Sequence, residues 1–299
     1  MLYKILKSTL FCFLCFIVFS CSCATPSSQS YSPTDLSVPL SSFLKVDVNL
    51  LIRKCSEETE MCEIQRRDFI SGSAIVVKRA RHGGMYVLSV AHICDPSDYA
   101  NRVSGGDPWS LEMVGITKEH DEYRLHVLEV DHDKDLCLMY APDLDRTPIA
   151  VAKKKLMPGS RIWNIAAPRG ILYKGAPIII DGIFNGTNQD SGHDMYTMLV
   201  AGGSSGSGIL NENGEIVGLV SMMDLRFPFI VYSPAHEDIL EFFNRAVAYH
   251  STVGAPVVQE IIYKIVLPEL PSLPKMPKFK FPDLSGVIEW FDDKLTQFF

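Results

Sequence analysis

The sequence lacks a cluster of basic residues, and its histidines form no metal-ligand pattern. Its 299 residues carry 28 Lys and Arg against 35 Asp and Glu, a formal net charge of -7. Binding to phosphates needs a clustered basic surface, so nucleic acid is excluded as a partner. Four histidines show no paired spacing with Cys or acidic residues: His120, His126, His132 and His193. No metal site and no cofactor are therefore predicted.

The apolar run at the N-terminus is too short to be a comfortable membrane span. It covers residues 10–19 and follows the positive Lys4 and Lys7, the pattern of an export signal. Residues 1–24 are therefore predicted to be a signal peptide or a lipoprotein signal. Three outcomes stay open: cleavage at small residues near Ala24, lipidation of Cys21, or an uncleaved membrane tether. Each predicts an extracytoplasmic protein that is secreted, periplasmic or anchored to a membrane.

The part of the chain after the N-terminal segment has few cysteines, too few for a dense disulfide framework. They are Cys55, Cys62, Cys94 and Cys137. Cys55 and Cys62 flank a short polar loop and could close a hairpin as a disulfide in an oxidising compartment. Two unpaired thiols are the alternative.

The chain changes composition twice along its length. Residues 25–44 are rich in Ser and Pro and are predicted to be a linker, followed by a folded domain over 45–253. Short β-rich runs separated by Gly, Pro, Asp and Asn cover 70–77, 85–90, 123–130, 136–140, 161–166, 176–183, 195–200, 208–210, 216–222 and 229–232. This pattern predicts an all-β sandwich or pair of barrels, closed by one helix over 237–250.

Three segments carry residues suited to nucleophilic catalysis, which needs a hydroxyl, a base, an acid and backbone donors for an oxyanion. His92 follows an apolar strand. Asp135 stands where an acidic turn meets the next apolar run. Ser205 lies in a Gly/Ser loop between strands, in which Gly203 and Ser205 can offer their N–H groups to one point. Each segment alone also has an ordinary structural interpretation.

The three segments together resemble the chymotrypsin/trypsin superfamily. SVAHIC is similar to its Ala-Ala-His-Cys, DLCLM to its Asp-(Ile/Leu)-Ala-Leu and GSSGSG to its Gly-Asp-Ser-Gly-Gly-Pro, in the same order. The resemblance implies two six-stranded antiparallel β-barrels with a C-terminal helix and an extended tail. It implies that Ser205 is the nucleophile, His92 the base, Asp135 the orienting acid, and that the N–H groups of Gly203 and Ser205 form the oxyanion hole.

Departures from the family place the chain closer to bacterial and viral HtrA-like members than to pancreatic ones. Ser204 stands where pancreatic enzymes have an Asp that pairs with a new N-terminus. By the same resemblance, Leu199 lies at the base of the primary pocket, and Ser221 and Met223 contribute to its wall. No carboxylate is expected there, so an uncharged, small to medium apolar side chain is predicted before the cleaved bond.

Residues 254–299 leave the family pattern. Proline recurs every third residue from Pro268 to Pro277, which predicts an amphipathic polyproline II segment, followed by a terminal amphipathic helix. Two interpretations stay open, docking on the domain or on a protein partner, and a plain spacer.

The predicted function is a serine endopeptidase that acts on a protein or peptide substrate. Two alternatives remain: a catalytically inactive binding or structural protein on the same fold, and an esterase that uses the same triad.

Overall fold

The structure, a computed structural model, describes residues 39–55 and 62–253. Its strands are β1 (Phe43–Cys55), β2 (Cys62–Arg79), β3 (Met85–Ser89), β4 (Trp109–Ile116), β5 (Glu122–Asp131), β6 (Leu136–Ala141), β7 (Arg161–Ala166), β8 (Ile178–Thr187), β9 (Asp194–Met198), β10 (Gly208–Leu210), β11 (Ile216–Leu219), β12 (Met222–Met223) and β13 (Ile230–Ser233). Its helices are α1 (Ala91–Cys94), α2 (Ser97–Ser104) and α3 (His236–His250), with 3-10 turns at Leu40–Ser42 and Pro168–Gly170.

The first six strands form a closed antiparallel barrel in the order β1-β2-β3-β6-β5-β4. Alternate residues along β1 face its interior: Leu44, Val46, Val48 and Leu50 are fully buried. Lys45, Asp47 and Asn49 lie between them and are partly exposed, as the period of two in a strand requires. This alternation fixes the register of β1 against β2 and β4.

The second group of strands forms a seven-stranded sheet in the order β11-β10-β7-β8-β9-β13-β12. Its two end strands are consecutive in the chain, because Val220 and Ser221 alone separate them. Val220 N donates to Ser207 O, beside β10, whereas Ser221 N donates to Tyr232 O in β13, at 3.0 Å each. The chain therefore bends at Val220 and Ser221 and passes from one end strand of the sheet, β11, to the other, β12. Counted as one bent strand, β11 and β12 give the six strands that were predicted.

The helix predicted near the end of the domain is confirmed as α3. It buries Ile239, Phe242, Ala246 and Val247 in the main core. Two barrel strands, β1 and β4, lie outside the predicted set, and β1 begins inside the predicted linker 25–44. The predicted signal 1–24, most of that linker and the tail 254–299 lie outside the described residues. Among the described helices, none has the length and apolar character to cross a membrane.

Candidate active site

His92 and Asp135 contact each other directly at one end of the first barrel. His92 lies in α1, just after β3, and Asp135 occupies the turn between β5 and β6. His92 Nδ1 is 3.0 Å from both carboxylate oxygens of Asp135, and His92 N donates to Asp135 Oδ1 at 3.1 Å. The carboxylate therefore fixes both the ring and the backbone of the histidine.

Asp135 is held as an anion by its neighbours. Burial raises its pKa, but hydrogen bonds from the His92 side chain, the charge of His92 and a hydrogen bond from Ser221 outweigh burial, so that the pKa of Asp135 is lowered. The Ser221 hydroxyl donates to Asp135 Oδ2 from the bend between β11 and β12. The second sheet thus supports an acid that belongs to the first barrel.

The Gly/Ser loop before β10 consists of two successive tight turns. Ser204 N donates to Ala201 O at 2.9 Å, and Ser207 N donates to Ser204 O at 3.0 Å. Gly203 and Gly206 occupy the third position of each turn with φ of 93° and 85°, values that favour glycine in type II turns. The glycines therefore set the path of the loop on both sides of Ser205.

The same turns orient two backbone N–H groups. Gly202 O accepts from Arg169 N, and Ser204 O accepts from Ser207, so both carbonyls are held by neighbouring groups. A trans peptide places N–H opposite C=O, so the N–H groups of Gly203 and Ser205 point away from those contacts. Within residues 39–55 and 62–253, neither N–H donates to any acceptor. Both are available to a developing oxyanion.

The loop packs against the elements that carry His92 and Asp135. A Cβ at Gly206 would lie 2.1 Å from Ser89 Oγ, at the end of the strand that leads to His92. Gly206 N donates to Val220 O at 2.7 Å, next to the Ser221 that bonds Asp135. Ser205 Oγ itself makes no hydrogen bond to the described residues, His92 included. A cleft of about 1210 Å³ opens beside His92 and Asp135.

Residues 72–219 match the family model of the trypsin-like peptidase domain, and this range contains His92, Asp135 and Ser205. The chain contains a trypsin-like peptidase domain.

Among solved structures, the chain is similar to the serine endoprotease from Yersinia pestis, with 14% sequence identity and a TM-score of 0.49. The match covers 71% of this chain and 64% of that chain, so the chain spans about 64% of that protein's structure. The comparison with curated protein sequences finds no match. The predicted chymotrypsin-like fold of the peptidase domain is confirmed by the closed barrel, the second sheet and the terminal helix.

The three residues predicted to form the primary pocket of the peptidase domain differ in exposure and in the contacts that they make. Leu199 follows the end of β9 and its side chain is 57% exposed, so it lies at the surface and not at a covered base. Met223 packs against a cluster of buried residues in the second sheet that includes Phe184 and Tyr196. The Ser221 hydroxyl donates to Asp135, and Ser221 lines the cleft beside His92.

Ser73 is a residue of the peptidase site that the sequence did not single out. It is fully buried on β2, where its N donates to Ser205 O at 2.8 Å and its Oγ donates to Gly203 O at 2.8 Å. The same Oγ accepts from Ala167 N at 3.1 Å. One hydroxyl thus joins the Ser205 loop to the neighbouring turn at Pro168–Gly170. Its short side chain after a glycine gave no distinguishing signal.

Two disulfides stabilise the peptidase domain. Cys55 and Cys62 are joined, as one of the two open interpretations expected, and pair across β1 and β2. Cys94 and Cys137 form a second disulfide that was not predicted. In the described part of the chain, no group of three or more His, Cys, Asp or Glu side chains is placed to hold a metal ion.

Proposed function

We propose that the chain is a serine endopeptidase that hydrolyses peptide bonds through an acyl-enzyme intermediate. The observation that carries this proposal is the contact of His92 Nδ1 with both Asp135 oxygens at 3.0 Å. A carboxylate on Nδ1 keeps the proton there and leaves Nε2 as the basic nitrogen. The free hydroxyl of Ser205 supplies the nucleophile.

In this mechanism, Ser205 Oγ attacks the substrate carbonyl carbon while His92 Nε2 takes its proton. Asp135 stabilises the imidazolium, and the N–H groups of Gly203 and Ser205 donate to the oxyanion. His92 then gives the proton to the leaving amine as the C–N bond breaks. Water, activated by the same base, hydrolyses the acyl-enzyme and frees Ser205.

The substrate side chain before the cleaved bond is proposed to be uncharged and apolar. Leu199 and Phe229 expose apolar surface on adjoining segments, since Met198 N donates to Phe229 O at 3.0 Å. The nearby carboxylate of Asp224 is occupied by Arg226 at 2.7 Å, and hydrogen bonds from that side chain hold the pKa of Asp224 far below its usual value. Asp224, in the part of the chain that the structure describes, is therefore not free to pair with a cationic substrate side chain.

An extracytoplasmic location is also proposed, in agreement with the N-terminal export pattern. The two disulfides of the peptidase domain support it, because such bonds persist in oxidising compartments. The membrane tether and a protein partner for the tail fall on residues outside the described part and remain proposals from sequence.

Labelling with a fluorophosphonate tests the nucleophile. The natural protein should be labelled, and Ser205→Ala should lose labelling together with about 10⁵- to 10⁶-fold in kcat, since the triad acts as a unit. Ser204→Ala is the matched control, because among the described residues its buried Oγ has a single hydrogen-bond partner, Ala201 N at 3.4 Å. Failure of the natural protein to label would favour the inactive scaffold, and turnover of small esters without peptides would favour the esterase.

A panel of peptides that differ only in the residue before the cleaved bond tests specificity. We expect kcat/KM for Ala, Val or Leu to exceed that for Lys, Arg or Asp by about 10-fold or more, because a buried unpaired charge is costly. Dominant cleavage after Lys or Arg would contradict the proposed pocket.

A further inference from the structure

The Cys94–Cys137 disulfide joins the two chain segments that carry His92 and Asp135. Cys94 ends α1, two residues after His92, and Cys137 lies on β6, two residues after Asp135. Their Cα atoms are 6.4 Å apart, and both side chains are buried. The covalent bond therefore joins the same two segments that the histidine and the aspartate join through hydrogen bonds.

The segment that carries His92 is a single helical turn, held in part by the buried side chain of Ile93. α1 has four residues and no side-chain hydrogen bond at its N-cap, and a single helical turn is not stable in isolation. The ladder between β3 and β6 ends at the pair Ser89 and Cys137, immediately before α1 begins. Beyond that pair, contacts between side chains must hold α1 in place.

The polar contacts between the two segments are partly exposed to solvent. The His92 side chain is 45% exposed, so water competes for its bonds to Asp135. His132 Nε2 and Asp95 Oδ2, 3.2 Å apart, make a second contact, in which the His132 side chain is 62% exposed. Hydrogen bonds that are open to water on one side hold two segments less firmly than a covalent bond does. The disulfide adds a buried covalent link between the segments to the packing of Ile93 in the main core.

Asp135 needs such a link because of its backbone. Its φ of 50° lies in the left-handed region, which non-glycine residues rarely adopt. Residues in this region keep their conformation only where the surrounding structure fixes them. A covalent bond two residues further along the chain limits the freedom of the turn to relax.

We propose that the Cys94–Cys137 disulfide is a positioning element for the His92–Asp135 pair. This inference rests on the proposed peptidase function. Without the bond, α1 and the turn before β6 can separate, and the Nδ1 proton loses its fixed acceptor. Proton transfer from Ser205 then slows. The proposed pocket residues Leu199 and Met223 lie outside the two segments that the disulfide joins, so we expect substrate binding to be retained.

The test compares two disulfide-free variants of the full chain. Cys94→Ala/Cys137→Ala removes the proposed positioning bond, and Cys55→Ala/Cys62→Ala is the matched control, because that bond joins β1 and β2 away from His92. We expect kcat on a peptide substrate to fall about 10- to 100-fold in the first variant, with KM changed by less than about twofold. The control should keep both constants.

A second readout does not depend on turnover. The Nδ1 proton of His92, bonded to a carboxylate, should give a low-field proton resonance, assigned by its loss in His92→Ala. It should disappear or broaden in the first variant and persist in the control. Cys94→Ala/Cys137→Val fills more of the buried volume at position 137 and serves if the first variant does not fold.

Unchanged kcat and an unchanged resonance in a folded variant without Cys94–Cys137 would overturn the inference, as would an equal loss of kcat in the control. If the natural protein cleaves no peptide, the proposed function fails. The resonance of His92 still decides whether the disulfide positions the pair, so the two failures are distinguishable.

Discussion

Asp135 is the residue on which the two β structures of the domain converge. It belongs to the first barrel, receives two hydrogen bonds from His92, and accepts a third from Ser221 of the second sheet. Burial opposes its charge, whereas these donors favour it, and its pKa is lowered from the usual 3.8. A carboxyl with a lowered pKa stabilises the folded state above its unfolded pKa and loses that contribution as the pH falls through its folded pKa.

Asp135→Asn tests this linkage. The free energy of unfolding of the natural protein should fall more steeply than that of the variant between about pH 5 and about pH 2, because the variant has no carboxyl to protonate. Urea denaturation at a series of pH values measures the difference. At neutral pH the variant should also lose about 10⁴-fold in kcat, since an amide no longer fixes the histidine tautomer. Parallel stability curves would contradict the assigned direction.

The polar-to-apolar junction predicts Asp135 among the three acids of its turn, and the structure places this residue against His92. Asp133 is exposed, and Asp131 Oδ1 accepts from Lys134 N at 3.0 Å within the turn. The role of the Ser221 hydroxyl could not be found in this way, because it meets Asp135 across 86 residues of sequence. Local patterns identify which residue enters the interior but do not show which distant side chain it meets there.

At the scale of elements, the Ser205 loop is held by β2 through one buried hydroxyl. Ser73 Oγ donates to Gly203 O and accepts from Ala167 N. These two bonds fix the peptide beside the proposed oxyanion donor. The loop sequence predicts the turns, since glycine is required at Gly203 and Gly206, but not the strand that supports them.

Ser73→Ala should therefore weaken both stability and catalysis. Leaving Gly203 O and Ala167 N without this partner in a buried place costs about 1 to 3 kcal/mol, and displacement of the Gly203 N–H should lower kcat about 10- to 100-fold. Urea denaturation and steady-state kinetics measure the two effects.

Ser71→Ala on the same strand is the control for this variant. Ser71 Oγ is buried and has no hydrogen-bond partner among the described residues. Its loss should leave the free energy of unfolding unchanged or raise it, because an unpaired buried hydroxyl is itself unfavourable. Similar losses of stability and kcat in both variants would show that β2 is sensitive to substitution in general. Such a result would contradict a specific role for the Ser73 hydroxyl.

Predicted and observed elements agree best where a strand is bounded by turn residues. β7 and β10 have the predicted limits, and α3 begins one residue earlier than predicted. β1 escaped prediction although Leu44, Val46 and Val48 alternate with polar residues, because it directly follows a Ser/Pro-rich stretch. The bend at Val220 and Ser221 depends on two partners distant in sequence, Ser207 and Tyr232, and no local signal marks it.

At the scale of the whole molecule, the two disulfides constrain the unfolded chain to different extents. Cys94 and Cys137 are separated by 43 residues, and Cys55 and Cys62 by 7. The entropy lost by the unfolded chain grows with the size of the closed loop, which gives about 4 kcal/mol for the first bond and about 2 kcal/mol for the second. The long loop contains α2, β4 and β5, so its closure restricts two of the six strands of the first barrel.

Removing Cys94–Cys137 should therefore lower the free energy of unfolding by about twice as much as removing Cys55–Cys62. Urea denaturation of the two Cys→Ala pairs measures this difference, and the natural protein with both bonds reduced should be less stable than either variant. An equal or larger cost for the short loop would mean that local contacts of β1 and β2 outweigh chain entropy. The stability loss is expected from loop size alone, whereas the loss of kcat proposed for Cys94–Cys137 requires the bond to act on His92, so a variant stable enough to assay separates the two effects.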